Sequence, residues 1–274
     1  MVDGTLCACH ARTAPSSLMF RRLLIAAIPA ALFASALVPW GARRAHAIGE
    51  STAVEIRVLD PGGSTTLERP TAMKRLAWEV RQRTSVETKL EPSRVRLSDA
   101  TLFDSPLVYM TGYRAFPPWS LADVQALRRF VEFGGTVIID DAAPDQTGFD
   151  ASVRRELDRA FGPDKLEKLP SSHVVYRSFY LVPRPVGRVQ GPEYLESIMH
   201  GARAAVIYSR HDIGGAYERD NLGNYTLSVT PGHEVQREMA FRLGVNLVLY
   251  ALCLDYKDDQ VHAPFIMRRG AGRR

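Results

Sequence analysis

The sequence predicts one three-layer α/β domain built on a mostly parallel sheet. Three observations lead there. Runs such as Leu107–Met110, Thr136–Asp140 and Ala204–Ser209 are apolar along nearly their whole length, as strands covered on both faces are. They alternate with segments whose apolar residues recur at helical spacing. No internal repeat, low-complexity block or linker divides them.

In chain order, "AVEIRVL" (Ala53–Leu59) alternates apolar and polar residues and reads as a strand, followed by a Pro-Gly-Gly turn within Asp60–Ser64. Pro70 opens "PTAMKRLAWEVRQRT", where Met73, Leu76, Ala77 and Val80 share a helical face. "DSPLVYMTGY" holds a short strand closed by Thr111-Gly112. Ser120 is a candidate N-cap for "LADVQALRRFVEF", with Leu121, Val124, Leu127 and Val131 as its apolar face and Gly134 just past its end. The strand "TVIID" follows, and then the helix "ASVRRELDRAF", which ends at Gly162. "HVVYRSFYLV" (His173–Val182) fits either a strand or an extended loop. "AAVIYS" is another buried strand, and "EVQREMAFRLGVNLVLYALCL" is a core helix, apolar nearly all round in its second half.

The net charge of +5 is concentrated at the N-terminus. Residues 1–47 carry five of the 35 basic side chains (Arg12, Arg21, Arg22, Arg43, Arg44) and one of the 30 acids, Asp3, so the remainder is close to neutral. No basic stripe with interleaved aromatics follows, which argues against nucleic-acid binding. The same segment has a secretory pattern. Met19-Phe20-Arg21-Arg22 precedes an apolar run from Leu23 to Trp40, and Ala45-His46-Ala47 supplies an A-x-A cleavage box. Export to the periplasm or beyond is expected, with cleavage before Ile48 and Met19 as an alternative start. The competing expectation is an uncleaved inner-membrane anchor, because the run approaches the length of a membrane helix. The Arg21-Arg22 pair fits a twin-arginine signal only loosely. This leaves a domain over 48–262 and a basic tail over 263–274. Only Cys253 remains after residue 47, so the exported domain forms no internal disulfide and relies on its core.

In such sheets ligands bind outside the carboxyl ends of the strands. Three strands end in Thr111-Gly112-Tyr113-Arg114, in Asp140-Asp141 and in Ser209-Arg210-His211-Asp212, which concentrates polar groups where a pocket is expected. Each has a plainer reading. An Asp after a strand commonly caps a turn, and adjacent carboxylates on an extended chain point to opposite faces. His211 and His173 are possible metal ligands, yet no H-x-H or H-x-x-x-H spacing supports a metal site. Ser209, His211 and Asp212 contain the residue types of a catalytic triad, but close neighbours in sequence rarely form one. No G-x-S-x-G or G-x-C-x-G elbow follows any strand, and Cys253 falls in the apolar closing helix, where a buried, inert thiol is expected. Gly214-Gly215 and Gly232 lie outside any phosphate-binding pattern, and no cofactor is expected.

The blocks "LVYMTGY", "SLADVQALRRFVEFGGTVIIDD", "HVVYRSFYLV", "AVIYSRHDIGGAYE" and "FRLGVNLVLYAL" together resemble the bacterial domain of unknown function 4159, over roughly Arg69 to Leu254. The resemblance implies a flavodoxin-like sheet related to class I glutamine amidotransferases but lacking their cysteine, in agreement with the missing elbow. It also implies export or membrane tethering, and a link to MoxR-type ATPases and von Willebrand factor A-like modules. It marks Thr111, Gly112, Asp140, Asp141, His173, Ser178, Phe179, Asp212, Gly214, Tyr217 and Glu218 as recurrent positions. Tyr113 stands where many members carry His after the Thr-Gly, and Tyr217 stands for Trp. The first departure weakens any mechanism that needs an imidazole at that strand end.

The functional expectation is a non-catalytic envelope module that recognises a small polar ligand or a protein partner at the carboxyl edge of the sheet. Its expected contacts are Thr111, Gly112, Tyr113, Asp140, Asp141, His173, Ser209, His211, Asp212, Gly214 and Tyr217. The alternative is a hydrolase in which Asp140 or Asp141 acts as general base, or holds a divalent ion together with Asp212.

Overall fold

The computed structural model describes residues 53–63 and 68–252; Cys253, the export segment and the basic tail lie outside them. The strands are β1 (Arg57–Leu59), β2 (Arg94–Val95), β3 (Leu107–Gly112), β4 (Thr136–Asp141), β5 (Glu167–Lys168), β6 (Glu196–His200) and β7 (Arg203–Ser209). The helices are α1 (Ala72–Arg83), α2 (Leu121–Glu132), α3 (Gly148–Phe161), α4 (Ile213–Tyr217) and α5 (His233–Leu252). One sheet runs in the order β2-β1-β3-β4-β7-β6-β5. Its first five strands are parallel and only β6 runs the other way. This is the expected α/β fold.

Alternation of side chains divides the core in two. Leu107, Tyr109, Ile138 and Ile207 face α1, α4 and α5, whereas Val108, Met110, Val137, Ile139 and Tyr208 face α2 and α3. Helices on both faces explain why β3, β4 and β7 are buried along nearly their whole length. Among the described residues no helix is long and apolar enough to cross a membrane.

The helix signals act as expected, with small shifts. Ser120 accepts from Asp123 N while the Asp123 carboxylate takes Ser120 N, a reciprocal capping box. Gly134 follows that helix at φ 95°. Leu121 is 68% exposed, because the first residue of α2 lies outside the buried face made by Val124, Leu127 and Val131. Helix α3 starts at Gly148, three residues before the sequence reading.

The strand reading needs more correction. Of Ala53–Leu59 only Arg57–Leu59 is ladder; Val54 makes an isolated bridge to Thr88. His173–Val182 forms a 3-10 turn at Val174–Arg177 and then irregular chain. Asn246 of α5 supplies its partners in place of a strand: Oδ1 accepts from Phe179 N at 3.1 Å and Tyr180 N at 2.7 Å, and Nδ2 donates to Tyr180 O at 2.8 Å.

From β1 the chain passes through α1 to β2 on one side; from β3 it passes through α2 to β4 on the other. The carboxyl ends of β1 and β3 therefore flank the switch point, where α/β sheets place their ligand crevice.

Candidate functional site

The register of β3, β4 and β7 brings the strand ends into line. Thr111 pairs with Asp140 and Asp140 with Ser209, and Gly112 pairs with Asp141 in the next row. The three polar endings therefore share one sheet edge, and their side chains part by face.

Asp140 turns towards α4. Its Oδ1 accepts from Ile213 N at 3.0 Å, and its Oδ2 from Gly214 N at 2.8 Å and Tyr109 Oη at 2.8 Å. The carboxylate thus caps a helix that begins 73 residues later. Complete burial, with the Asp212 charge adding, raises its pKa to about 7 against these three donors. Gly214 is required by the fit: a Cβ there would sit 2.4 Å from the Tyr109 hydroxyl.

Asp212 holds two arginines that the sequence reading did not single out. Arg69 donates Nε to Oδ1 at 3.0 Å and Nη2 to Oδ2 at 2.7 Å, and Arg188 donates Nε to Oδ2. Gly215 N adds a fourth donor at 3.0 Å. Burial lowers the Arg69 pKa, but its bonds to Asp212 more than restore it and leave it raised. Arg69 (φ 53°) and Asp212 (φ 51°) both occupy the left-handed region, which non-glycine residues seldom adopt.

Asp141 turns to the opposite face. Its Oδ1 accepts from Ala143 N at 3.0 Å, the turn role read from the sequence, and Tyr208 Oη lies 3.5 Å from its Oδ2. Burial lifts its pKa to about 6 against the Ala143 bond. The two adjacent aspartates therefore serve different sides of the sheet.

Ser209 and His211 do meet, with Oγ 3.1 Å from Nδ1. Because Nε2 lies 2.8 Å from the Pro192 carbonyl, which can only accept, Nε2 carries the proton and Nδ1 accepts from the serine. Burial pulls the imidazole down to about 4, which keeps it neutral. Asp212 is taken up by its arginines and takes no part, so no triad forms.

Beside this polar network a cleft of about 160 Å³ opens at the switch point. The end of β1 contributes Asp60, Gly62 and Gly63, and the end of β3 contributes Thr111 to Phe116, with Glu68 between them. Asp60 is fixed by Arg94 at 2.7 Å, Arg96 at 3.3 Å and Gly62 N at 2.9 Å. Thr111 Oγ1 donates to Asp140 O at 2.8 Å, which ties the cleft wall to the network. Arg114 lies over the Tyr113 ring, 4.7 Å from its centroid. The strand-end rule that picked out three polar clusters applies equally to Asp60, which was read as turn alone.

The model of the family described as Domain of unknown function (DUF4159) matches residues 54–252. The chain belongs to that family. A comparison with curated proteins finds no match. Of the positions that the resemblance to DUF4159 marks, Asp140, Asp212 and Gly214 meet in the network just described. Glu218 supports it by accepting from Thr71 N at the start of α1, at 3.2 Å. Four others have roles elsewhere in this DUF4159 domain. His173 caps Val175 N and stands edge-on to Tyr250, whose hydroxyl accepts from Ala204 N at the amino end of β7, away from the crevice. Ser178 donates to Val174 O, closing the same 3-10 turn, and Phe179 is half exposed beside it. Tyr217 is a core residue: its ring stacks on Phe241 at 4.6 Å and its hydroxyl donates to Ala240 O. Among the described residues no group of three His, Cys, Asp or Glu side chains is arranged to hold a metal ion.

Proposed function

We propose that this chain is an exported, non-catalytic binding module that takes a small polar group into the cleft between β1 and β3. The observation that carries the reading is the division of labour at the sheet edge. The Asp140 and Asp212 carboxylates are occupied by protein donors on both oxygens, whereas Tyr113, Arg114 and Glu68 face the cleft at the switch point. The cleft volume suits a small polar molecule or one side chain of a partner. The basic, apolar and A-x-A order of residues 21–47 supports export.

The hydrolase reading has one observation in its favour, the raised pKa of Asp140, which is what a general base at neutral pH needs. Against it, the carboxylate is fully buried and engaged by two backbone N–H groups and a tyrosine.

Replacing Tyr113 and Arg114 together by Ala tests the proposal. Neither side chain touches Asp140 or Asp212, so the expected change in stability is within about 0.5 kcal/mol, as for ordinary surface sites. The variant is expected to lose the ability to complement a strain lacking the gene. Normal complementation by a folded variant would overturn the assignment of the cleft.

A further inference from the structure

A second cleft, of about 510 Å³, shares no lining residue with the first. It lies between the loop after β4 (Pro144, Asp145), the residue after β7 (Arg210) and the segment Arg188–Pro192. We propose that it binds a carboxylate group, held between the guanidinium groups of Arg188 and Arg210.

Charge is the first ground. Arg69 and Arg188 share the single Asp212 carboxylate, and Asp140 behind it accepts no hydrogen bond from either arginine. Arg210 lies near two carboxylates, Asp150 and Asp141, and makes a hydrogen bond to neither. The Asp150 oxygen nearest to pairing with it is 3.9 Å from its Nε, and that carboxylate already receives Arg154 Nε at 3.0 and 3.1 Å and Tyr208 Oη at 3.0 Å. Two cationic side chains thus line this cleft, each paired on its far side, Arg188 with Asp212 and Arg210 with Asp150.

Unused donors are the second ground. Arg188 spends Nε on Asp212, and among the described residues its two Nη groups make no hydrogen bond. Arg210 donates Nη2 to Pro144 O at 3.3 Å, while its Nε is buried without an acceptor. The donors left for an oxyanion in the cleft are the two Nη groups of Arg188 and Nη1 of Arg210, which make no hydrogen bond among the described residues.

The wall is also preorganised. Arg188 N donates to Asp212 O at 3.0 Å, Val189 N to His211 O at 3.2 Å, and His211 Nε2 to Pro192 O at 2.8 Å. Gln236 Nε2 holds Gly187 O at 2.8 Å from the side of α5. Gly191 lets the segment press against the end of β7, since a Cβ there would lie 2.3 Å from Arg210 O. Asp145 and the Pro144 carbonyl line the same cleft and add negative charge and an acceptor. They oppose a dianion such as phosphate more than a singly charged carboxylate, which the planar guanidinium fork fits best.

The experiment is an NMR titration of the chain from Ile48 onwards at constant ionic strength, read at the arginine Nε–H signals, with acetate in one arm and inorganic phosphate in the other. Acetate is expected to shift Arg188 and Arg210 saturably and phosphate to shift them less. Arg210→Gln should weaken acetate binding by about tenfold or more, the size of one lost charge-assisted hydrogen bond. If that variant fails to fold, Arg210→Lys keeps the charge without the fork and should weaken binding to a lesser degree. Absence of a saturable acetate shift, equal response to phosphate, or binding that survives the substitution would each overturn the proposal. None of these outcomes bears on Tyr113 and Arg114, so the cleft between β1 and β3 stands or falls separately.

Discussion

Arg69 grips Asp212 through two parallel hydrogen bonds, Nε to Oδ1 at 3.0 Å and Nη2 to Oδ2 at 2.7 Å, across 143 residues of sequence. Both residues hold left-handed backbone conformations, each costing roughly 1–3 kcal/mol for a non-glycine residue. The pair persists because the surroundings over-determine it: Arg188 and Gly215 N bind the same carboxylate, and Asp212 N donates to Asp141 O at 3.1 Å. The ends of β4 and β7, the start of α4 and the approach to α1 are thereby fixed together.

Removing one arm of this grip should be costly. Arg69→Ala leaves a fully buried carboxylate short of two donors and is expected to lower stability by about 2–3 kcal/mol. Arg69→Lys should recover less than half of that, since an ammonium cannot supply two parallel donors. Urea unfolding of the three proteins decides it. Equal stability of the Lys variant and the wild type would mean that charge alone matters.

Read as a turn or rim residue, Asp140 should tolerate Asn at no cost in melting temperature. The geometry reverses that expectation. Backbone N–H groups approach both carboxylate oxygens, so an amide NH2 must face one of them. Asp140→Asn is expected to lose about 1–3 kcal/mol, the cost of an unsatisfied buried donor. Asp141→Asn, which needs one oxygen for its turn and can present it, should lose less. Thermal unfolding of the single variants separates the two.

The pH dependence follows from two opposed groups. Asp140 is raised from 3.8 to about 7, so the folded state holds its proton more tightly; this stabilisation is complete below about pH 4 and is lost as pH rises through 7. Asp141, raised to about 6, acts in the same sense over a shorter span. His211 is lowered from 6.5 to about 4, so its contribution is present above 6.5 and is lost as pH falls through 4. The terms oppose each other between 4 and 6.5, and above 6.5 Asp140 acts alone among these three. Stability is therefore expected to fall from pH 6.5 to 8 in the wild type and to fall less in Asp140→Asn. Identical slopes in chemical-denaturation curves would show that Asp140 does not titrate there.

Gly214→Ala forces a Cβ to within 2.4 Å of the Tyr109 hydroxyl and should cost about 1–3 kcal/mol, as overpacking does. Tyr109→Phe removes that oxygen. The double variant should therefore lose less than the sum of the two single losses, a non-additivity expected only of residues in contact. Strict additivity would place the clash elsewhere.

Much of this edge was legible in the sequence because its signals are local. Apolar runs with polar endings mark β3, β4 and β7, and parallel pairing then sets Thr111, Asp140 and Ser209 side by side. The strands missed are β2 and β5, of two residues each, and β6, a reversed strand whose burial does not alternate. Such segments have too few residues to display a period. Arg69 and Arg188 carry no local mark either; they become partners of Asp212 only when segments 143 and 24 residues away fold against it. His173 shows the converse. Its residue type suggested a ligand, whereas its position makes it a turn cap at the other end of the sheet.

The central claim is that Asp140 and Asp212 are saturated by protein donors and brace the edge, leaving ligand recognition to the cleft between β1 and β3. Melting of the chain from Ile48 onwards, measured with millimolar magnesium, calcium, manganese or zinc and again with chelator, tests it directly, because a bound ion raises the melting temperature by mass action. The expected result is no ion-dependent rise in wild type, Asp140→Asn or Asp212→Asn. A rise in the wild type that chelator reverses and Asp212→Asn abolishes would contradict it, and would return these aspartates to a metal-assisted mechanism.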